Sequence, residues 1–277
     1  MVFADIELSR RLERAEGRAG AAYTEARAKL QPEVGATWQE IAGALVLFDG
    51  PASPITQTFG LGLAGPVTAA DLDRVESFFA ERAAPVHHEI SPMADESLWP
   101  LLTKRGYTPV EFTSMLYRDL VASPPESTPV AGIGVRAIGP EDGETYVRIN
   151  LEGWSHIPEL AEVLGDLMRT MAATVGVQGF LAYMDGAYTD GQPVAAGSLN
   201  IQGETAFLTG ACTIPAARGR GAQRALLEER LRRAIASGAE IAAMGAQSGS
   251  GSQRNAERAG FRIAYTRTKW QLNIPFC

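Results

Sequence analysis

A proline-rich segment near the middle of the chain restricts its fold most, because it divides the sequence into two parts of similar size. Residues 121–131 read VASPPESTPVA, with three prolines, two serines, a threonine and a glutamate. This composition offers little that could pack into a core and is typical of a linker. We therefore predict one domain at residues 1–120, a linker at 121–132 and a second domain at 133–277.

The order of predicted elements is the same in both halves. Each half has a strand, a long helix, a short strand, a short helix that ends in glycine plus an aromatic residue, and a long final strand. Gly106-Tyr107 and Gly260-Phe261 occupy the same point in this order. Because the two halves differ in sequence, we interpret the pattern as a structural duplication.

The first segment, residues 3–30, has the periodicity of a helix. Its apolar residues recur three or four positions apart and are Leu8, Leu12, Ala15, Ala19, Ala22, Ala26 and Leu30. Because most of them are alanine, we expect the helix to lie on its own domain. A dimer seam is the alternative, so a monomer and a homodimer both remain open.

Composition excludes several classes of protein. Lys and Arg number 25 against 32 Asp and Glu, and the net charge of −7 disfavours a nucleic-acid partner. No apolar run approaches the roughly 20 residues of a membrane-spanning helix, so no membrane partner is expected. Residues 1–12 lack the apolar centre of a secretory signal, and we expect a cytoplasmic protein. Two cysteines and three histidines argue against a metal site.

The most informative segment is Thr205–Leu231, in which a β-rich strand, a glycine turn and a helix follow one another. Gly219 and Gly221 let backbone N–H groups approach a ligand closely at the positive end of the helix. Such a turn suits a pyrophosphate. Three arginines add positive charge there and are Arg218, Arg220 and Arg224. The alternative is a tight turn before a surface helix, with solvated arginines.

This segment resembles motif A of the GNAT superfamily, the acetyl-CoA-dependent N-acetyltransferases. In that motif a strand ends in Val-x-Pro and is followed by Arg/Gln-x-x-Gly-x-Gly/Ala. Thr213-Ile-Pro215 stands at the first element and Arg218-Gly-Arg-Gly-Ala-Gln223 at the second. Downstream, Asn255–Phe261 is similar to the family's closing helix and Gly-Phe signature. The resemblance covers Gly134–Leu272 in element order.

The resemblance implies an α/β (α+β) fold of two GNAT-like domains, each a mixed twisted sheet with helices on both faces. It also implies acetyl-CoA as co-substrate, without a metal, between the strand that ends at Thr213 and the strand at 239–244. Backbone groups of Ala211 and Thr213 would hold the pantetheine arm, and Asn255 would add a polar contact. The pyrophosphate would be held by backbone N–H groups, which are those of Gly219, Arg220, Gly221, Ala222 and Gln223.

Two positions depart from the family pattern. Gln223 replaces the usual glycine or alanine, so its side chain must point away from the phosphates or hydrogen-bond one. Ala256 stands where many members have a tyrosine that acts as general acid toward the departing thiolate. Tyr265, early in the final strand, is the replacement candidate, although a tyrosine at such a position is more often part of the core or the lining of a groove.

The loop after the first helix of the second half supplies the other candidate side chains. His156 is a candidate base or acceptor contact, and an ordinary surface histidine is the alternative. Trp154 beside it could wall an acceptor pocket or anchor the loop. Cys212 could carry an acyl group, but no His/Asp partner is visible in the sequence, which favours a small buried thiol.

The first half lacks the phosphate-binding signals. Its equivalent turn, Gly60–Asp71, has no arginine, and Asp71 and Asp73 flank the helix start. Negative charge there stabilises the helix and repels a phosphate, so we predict a degenerate domain without acyl-CoA. His87-His88-Glu89 does not indicate a metal site, since adjacent strand residues point to opposite faces.

These observations predict an N-acetyltransferase that moves an acetyl group from acetyl-CoA to a primary amine of a small molecule or peptide by direct attack. A non-catalytic acyl-CoA sensor or partner-binding module with the same fold is the alternative. An N-myristoyl-type or aminoacyl transferase would fit the tandem layout, but no specific residue points to it.

Overall fold

The computed structural model describes residues 2–122, 130–157, 162–184 and 191–272. The helices of this part are α1 (Ile6–Leu30), α2 (Ala69–Ala80), α3 (Leu98–Lys104), α4 (Gly143–Gly153), α5 (Leu164–Ala173), α6 (Ala222–Ala236) and α7 (Gly251–Arg258). The strands are β1 (Thr37–Ile41), β2 (Ala44–Phe48), β3 (Gln57–Phe59), β4 (Val86–Ile90), β5 (Thr108–Asp119), β6 (Ile133–Ala137), β7 (Val177–Met184), β8 (Pro193–Gln202), β9 (Thr205–Thr213), β10 (Ile241–Gln247) and β11 (Arg262–Leu272). Of these, β1 is absent from the sequence prediction.

The chain forms two compact units that are not continuous in sequence. The first comprises Met1–Leu116, Gly245–Gln253 and Ile263–Cys277, and the second comprises Tyr117–Met244 and Arg254–Arg262. The predicted boundaries differ from this division, because 245–253 and 263–277 lie in the first unit. Of the predicted linker, residues 123–129 lie outside the described residues.

The first unit has a mixed sheet with the strand order β1-β2-β3-β4-β11-β5. Strands β3 and β4 are parallel, and β11 runs antiparallel to β4 with Thr268 opposite Ile90. All five residues of β2, ALVLF, are buried. Leu45 and Leu47 pack with Ala21 of α1, while Val46 and Phe48 pack with α2, so helices cover both faces.

Helix α1 lies on its own unit, as the alanine-rich stripe predicts. Asp5 caps it by accepting a hydrogen bond from the Leu8 N–H at 2.9 Å. Gly17 and Gly20 face β2, where an added Cβ would collide with the side chains of Leu45 and Leu47. The small residues therefore let the helix backbone approach the sheet closely. Among the described helices, none has the length and apolarity needed to cross a membrane.

The second unit repeats the plan with the strand order β10-β9-β8-β7-β6. Strands β9 and β10 are parallel, and the other pairs are antiparallel. Ala196 of β8 packs in the cluster around α4, whereas a Cβ on the next residue, Gly197, would touch Arg230 of α6. Neighbouring strand residues point to opposite faces, so α4 and α6 cover opposite faces of the sheet. The predicted α/β class with a mixed sheet is confirmed.

A buried charge cluster lies in the core of the first unit. Arg267 of β11 contacts three carboxylates: its Nη1 lies 2.6 Å from Glu16 Oε2 and 3.4 Å from Glu13 Oε2. Its Nε lies 2.8 Å from Glu89 Oε2. Burial raises the pKa of Glu13 to about 7, and the positive charge of Arg267 opposes this rise. The cluster thus contains a carboxyl group that takes up a proton near neutral pH.

We predict that Glu13 makes the stability of the protein depend on pH. Its pKa is higher in the folded protein than the usual 4.5, so the folded state binds more protons between about pH 4.5 and 7. The free energy of unfolding should therefore fall as pH rises through this window, by on the order of a few kcal/mol at most. Urea unfolding of Glu13→Gln should show a flatter profile. Glu7→Gln, on the exposed side of α1, should keep the wild-type slope and serves as the control.

Candidate functional site

The turn between β9 and α6 leaves backbone donors open at the start of the helix. Gly219 and Gly221 have φ of 75° and 93°, in the left-handed region that favours glycine. Gly221 is the N-cap residue and provides no side-chain cap. The Gly221 carbonyl accepts from the N–H of Ala225 at 3.0 Å, so the N–H groups that precede Ala225 in α6 have no acceptor within the helix. This is the geometry of an anion site.

The corresponding helix start in the first unit is closed by side chains. Helix α2 has a capping box in which Thr68 Oγ1 accepts from the Asp71 N–H at 3.2 Å and Asp71 Oδ2 accepts from the Thr68 N–H at 3.0 Å. These bonds with Thr68 lower the pKa of Asp71 and keep it ionised. The capping box occupies the Asp71 N–H, one of the first donors of this helix, and the negative charge of Asp71 lies beside the helix start, where it repels a phosphate.

Arg218 braces the turn through its side chain. Its Nε donates to the Thr213 carbonyl at 3.2 Å, and its Nη2 donates to the Gly153 carbonyl at 2.9 Å. The same Nη2 lies 3.4 Å from His156 Nδ1. Arg218 therefore ties the end of β9 to the end of α4 and braces the turn between β9 and α6.

The other two arginines lie at the surface near the helix start. Arg224 is exposed and pairs with Glu228 one turn later at 2.7 Å. Arg220 is also exposed. Both side chains are therefore accessible to an anionic ligand at the turn.

Gln223 points toward the strand end. Its Nε2 donates to Thr213 Oγ1 at 2.8 Å, so the amide side chain is held against β9. This bond fixes the side chain against the turn. The Gln223 N–H stays available, because the side-chain bond does not involve it.

Strand β9 has an irregular edge beyond its pairing with β10. The parallel register runs from Ile241 opposite Thr205 to Ala243 opposite Phe207, and β9 continues to Thr213. On the other side, the register with β8 shifts between Ala196–Cys212 and Ser198–Thr209, which places a bulge at Gly210–Ala211. Gly210 has a φ of 59°. The backbone of Ala211, a predicted pantetheine contact, thus lies in the bulge.

The exposed His156 and the half-buried Trp154 form one group after α4. Their rings stack with centroids 6.0 Å apart and planes at 15°. Arg218 has only donors, so the contact at Nδ1 favours the His156 tautomer that carries its proton on Nε2. In that form Nε2 carries a proton and donates a hydrogen bond. This suits a contact with the substrate that accepts the acetyl group better than the role of a general base.

Cys212 is a buried thiol. Its Sγ lies 3.5 Å from the Ile149 carbonyl and from Asn150 Oδ1. Burial raises its pKa to about 12, so the thiolate needed for covalent transfer does not form near neutral pH. Gly153 permits the close approach of α4, since a Cβ there would lie 2.6 Å from this sulfur.

The three remaining positions that the sequence singled out differ in their burial. Tyr265 is buried in the first unit, and its hydroxyl donates to Glu13 Oε1 at 2.8 Å. Burial and the negative charge of Glu13 raise the pKa of Tyr265. Ala256 of α7 is fully buried. Asn255 is exposed, and its Oδ1 accepts from Arg258 Nη1 at 3.4 Å. The roles predicted for Tyr265 and Asn255 stay predictions.

The sequence interpretation missed Arg230, a buried residue of α6 behind the bulge. A signal was present, because Arg230 lies three residues after Leu227 and next to Leu231, on the buried stripe of the helix. Ile235, which the pattern assigns to the same stripe, is instead 40% exposed.

Comparisons with known proteins agree with this geometry. A model of the Acetyltransferase (GNAT) family matches residues 152–261. A GCN5-related N-acetyltransferase from Kribbella flavida is 19% identical, with a TM-score of 0.65 over 92% of this chain and 96% of that chain. Its counterpart from Sphaerobacter thermophilus is 18% identical, with a TM-score of 0.58 over 93% and 91%.

A tandem GNAT protein from the clavulanic acid biosynthesis pathway also shares the fold. It is 12% identical, with a TM-score of 0.57 over 83% of this chain and 78% of that chain. No curated protein matches the sequence significantly. The predicted resemblance to the GNAT superfamily is confirmed, while structural similarity at these identities speaks for the fold alone.

We predict that Arg218→Ala destabilises the second unit. The change removes the donors that join Thr213 to Gly153, and a lost hydrogen bond to a charged group costs about 1.5–3 kcal/mol. Thermal unfolding should show a lower Tm, and amide hydrogen exchange should become faster at residues 150–157. Arg224→Ala, whose pair is exposed, should leave both measurements near wild type. Equal effects of the two changes would contradict the bracing role.

Proposed function

We propose that the protein is an acetyl-CoA-dependent N-acetyltransferase, a proposal supported by the match of residues 152–261 to a model of the Acetyltransferase (GNAT) family. Its acceptor would be a primary amine of a small molecule or peptide. The observation that carries the proposal is the open start of α6, where backbone N–H groups lie behind two left-handed glycines at the end of β9. An acidic protein that binds a pyrophosphate needs such a local donor site.

The residues of the second unit fit acetyl-CoA as a co-substrate. The pyrophosphate would bind the N–H groups of the turn and the first turn of α6, which have no side-chain cap. The pantetheine arm would bind along the edge of β9 from Leu208 to Thr213, since the pairing with β10 ends at Phe207. Arg220 and Arg224 would add charge-assisted contacts to phosphate groups.

The proposed reaction is direct attack. The amine nitrogen forms a bond to the acetyl carbon, the carbon–sulfur bond breaks, and the proton lost by the amine ends on the CoA thiol. Backbone donors at the β9 bulge would stabilise the negative charge on the carbonyl oxygen, and positioning would supply much of the rate. His156, through Nε2, would contact the acceptor, with Trp154 as a wall of the same pocket.

A non-catalytic acyl-CoA sensor is the second candidate, and a specific observation favours it. Ala256 replaces the usual tyrosine acid, the Tyr265 hydroxyl is bonded to Glu13, and Cys212 is protonated. A sensor would bind acetyl-CoA and release no thiol when amines are added.

We predict that the full chain releases CoA thiol from acetyl-CoA when a suitable amine is present, and that Gly221→Val abolishes this release. Valine at a φ of 93° forces the turn to rearrange, and its Cβ would lie 3.1 Å from Val130. A thiol-detection assay with a panel of primary amines, together with calorimetry of acetyl-CoA binding, measures both outcomes.

Gly238→Val is the matched control for this experiment. Gly238 lies just after the end of α6, has a φ of 80° and has no atom near an added Cβ. Valine at this position therefore imposes similar backbone strain, but away from the start of the helix. The control should bind acetyl-CoA normally. Equal loss in both variants would indicate general destabilisation, while normal binding in Gly221→Val would place the phosphates elsewhere. If the wild-type protein binds acetyl-CoA but releases no thiol with any amine, the result would favour the non-catalytic sensor.

We predict that Arg220 and Arg224 contribute by charge. A charge-assisted contact to phosphate contributes about 1.5–3 kcal/mol, and each 1.4 kcal/mol corresponds to about tenfold in affinity. At least one of Arg220→Ala and Arg224→Ala should weaken CoA binding tenfold or more, with a smaller loss at high salt. The variant that loses discrimination between CoA and dephospho-CoA identifies the arginine that faces the 3′-phosphate. If both variants bind CoA with wild-type affinity, neither arginine side chain contributes to phosphate binding, and the backbone N–H groups would hold the phosphates.

A further inference from the structure

Arg230 of α6 is a buried positive charge without a carboxylate partner. Its side chain is 3% exposed, and no Asp or Glu of the described chain lies within ion-pair distance. Burial lowers its pKa to about 10, so it stays charged at neutral pH. A buried charge is costly unless the surrounding groups compensate it, and such groups commonly have a specific task.

Backbone carbonyls from three elements, α6, β8 and β9, surround the guanidinium. Nε donates to the Leu226 carbonyl at 3.2 Å on the same helix. Nη1 lies 3.2 Å from the Ser198 carbonyl of β8 and 3.4 Å from the Thr209 carbonyl of β9. Gly197 provides the space, because an added Cβ would lie 3.2 Å from the guanidinium carbon.

These contacts converge on the bulge of β9. Thr209 is the last residue before the bulge residues Gly210 and Ala211, and its carbonyl also accepts from Ser198 Oγ at 3.1 Å. The bulge has a left-handed residue, Gly210, with a φ of 59°. Two side-chain donors thus hold the carbonyl that starts the bulge, in the stretch of β9 that extends beyond its pairing with β10.

We propose that Arg230 is a positioning residue for the acyl-pantetheine arm. By holding the Thr209 carbonyl, the guanidinium fixes the orientation of the following peptide groups, which are the backbone donors and acceptors of the bulge. This inference rests on the proposed function, because it assigns the bulge as the place where the thioester end of acetyl-CoA binds. Arg230 touches neither ligand nor reacting atoms and acts through the backbone alone.

A purely structural role makes a different prediction. Replacing a buried unpaired charge by an apolar side chain of similar size is often neutral or stabilising, so Arg230→Met need not lower Tm. A residue retained for positioning should instead lose affinity for the arm while the fold and the phosphate site persist. The two roles can be distinguished by comparing the affinity for a ligand that contains the pantetheine arm with the affinity for one that lacks it.

The experiment compares acetyl-CoA with adenosine 3′-phosphate 5′-diphosphate, the part of CoA that lacks pantetheine, by calorimetry on the full chain. In Arg230→Met we expect acetyl-CoA to bind at least tenfold more weakly and the nucleotide to bind within twofold of wild type. Arg230→Lys keeps the charge and one donor group, so it should recover part of the loss. Arg232→Met changes an exposed arginine of the same helix that pairs with Glu229, and it should match wild type for both ligands.

Equal weakening of both ligands in Arg230→Met, or wild-type affinity for both, would overturn the proposal. If Arg230→Met does not fold, Ser198→Ala decides, since it removes the hydroxyl donor to the Thr209 carbonyl, together with the contact of that hydroxyl with Thr209 Oγ1 at 3.0 Å, and keeps Arg230. A selective loss of acetyl-CoA affinity there supports the proposal, and unchanged affinity overturns it. A wild-type protein that binds neither ligand would contradict the proposed function itself and is distinguishable from these outcomes.

Discussion

The absence of a side-chain cap at the start of α6 is the constraint on which the second unit depends. Because Gly221 is the N-cap, the first N–H groups of the helix keep their hydrogen-bonding capacity for a ligand. The surrounding side chains stabilise this turn without occupying those donors: Arg218 and Gln223 both bond to Thr213. In the first unit, Thr68 Oγ1 accepts from one of the corresponding donors, the Asp71 N–H, and the carboxylate of Asp71 lies at the start of α2. One fold thus gives an open helix start in one unit and a closed one in the other.

Each unit also buries an arginine, and the two environments differ in kind. Arg267 lies among carboxylates, and its ion pairs join β11 to α1 and β4 within the first unit. Arg230 lies among backbone carbonyls and contacts the strand that continues into the proposed ligand site. The first arrangement makes stability sensitive to pH through Glu13, whereas the second controls the conformation of a bulge. Two buried arginines therefore have different consequences, because the groups that surround each guanidinium differ.

Much of the fold and part of the site could be predicted from the sequence. Alternation and helical spacing located nearly all elements, and Gly219 and Gly221 before α6 indicated the anion site. The short β1 was missed, and the sequence placed the last strand in the second domain, although most of it belongs to the first unit. Strand pairing between distant segments leaves no local signal, because the pattern of β11 is the same whichever neighbour it has.

The sequence by itself determined the class of fold, the glycine turn before α6 and the acidic start of α2 in the first half, because these follow from local backbone preferences and nearby charges. Only the tertiary structure decided how individual side chains are used. In the folded chain, the Tyr265 hydroxyl donates a hydrogen bond to Glu13, 252 residues away, and Arg218 donates one to the Gly153 carbonyl. It also placed Arg230 behind the bulge of β9. Such contacts join residues far apart in the chain, and their geometry exists only once the strands and helices have packed.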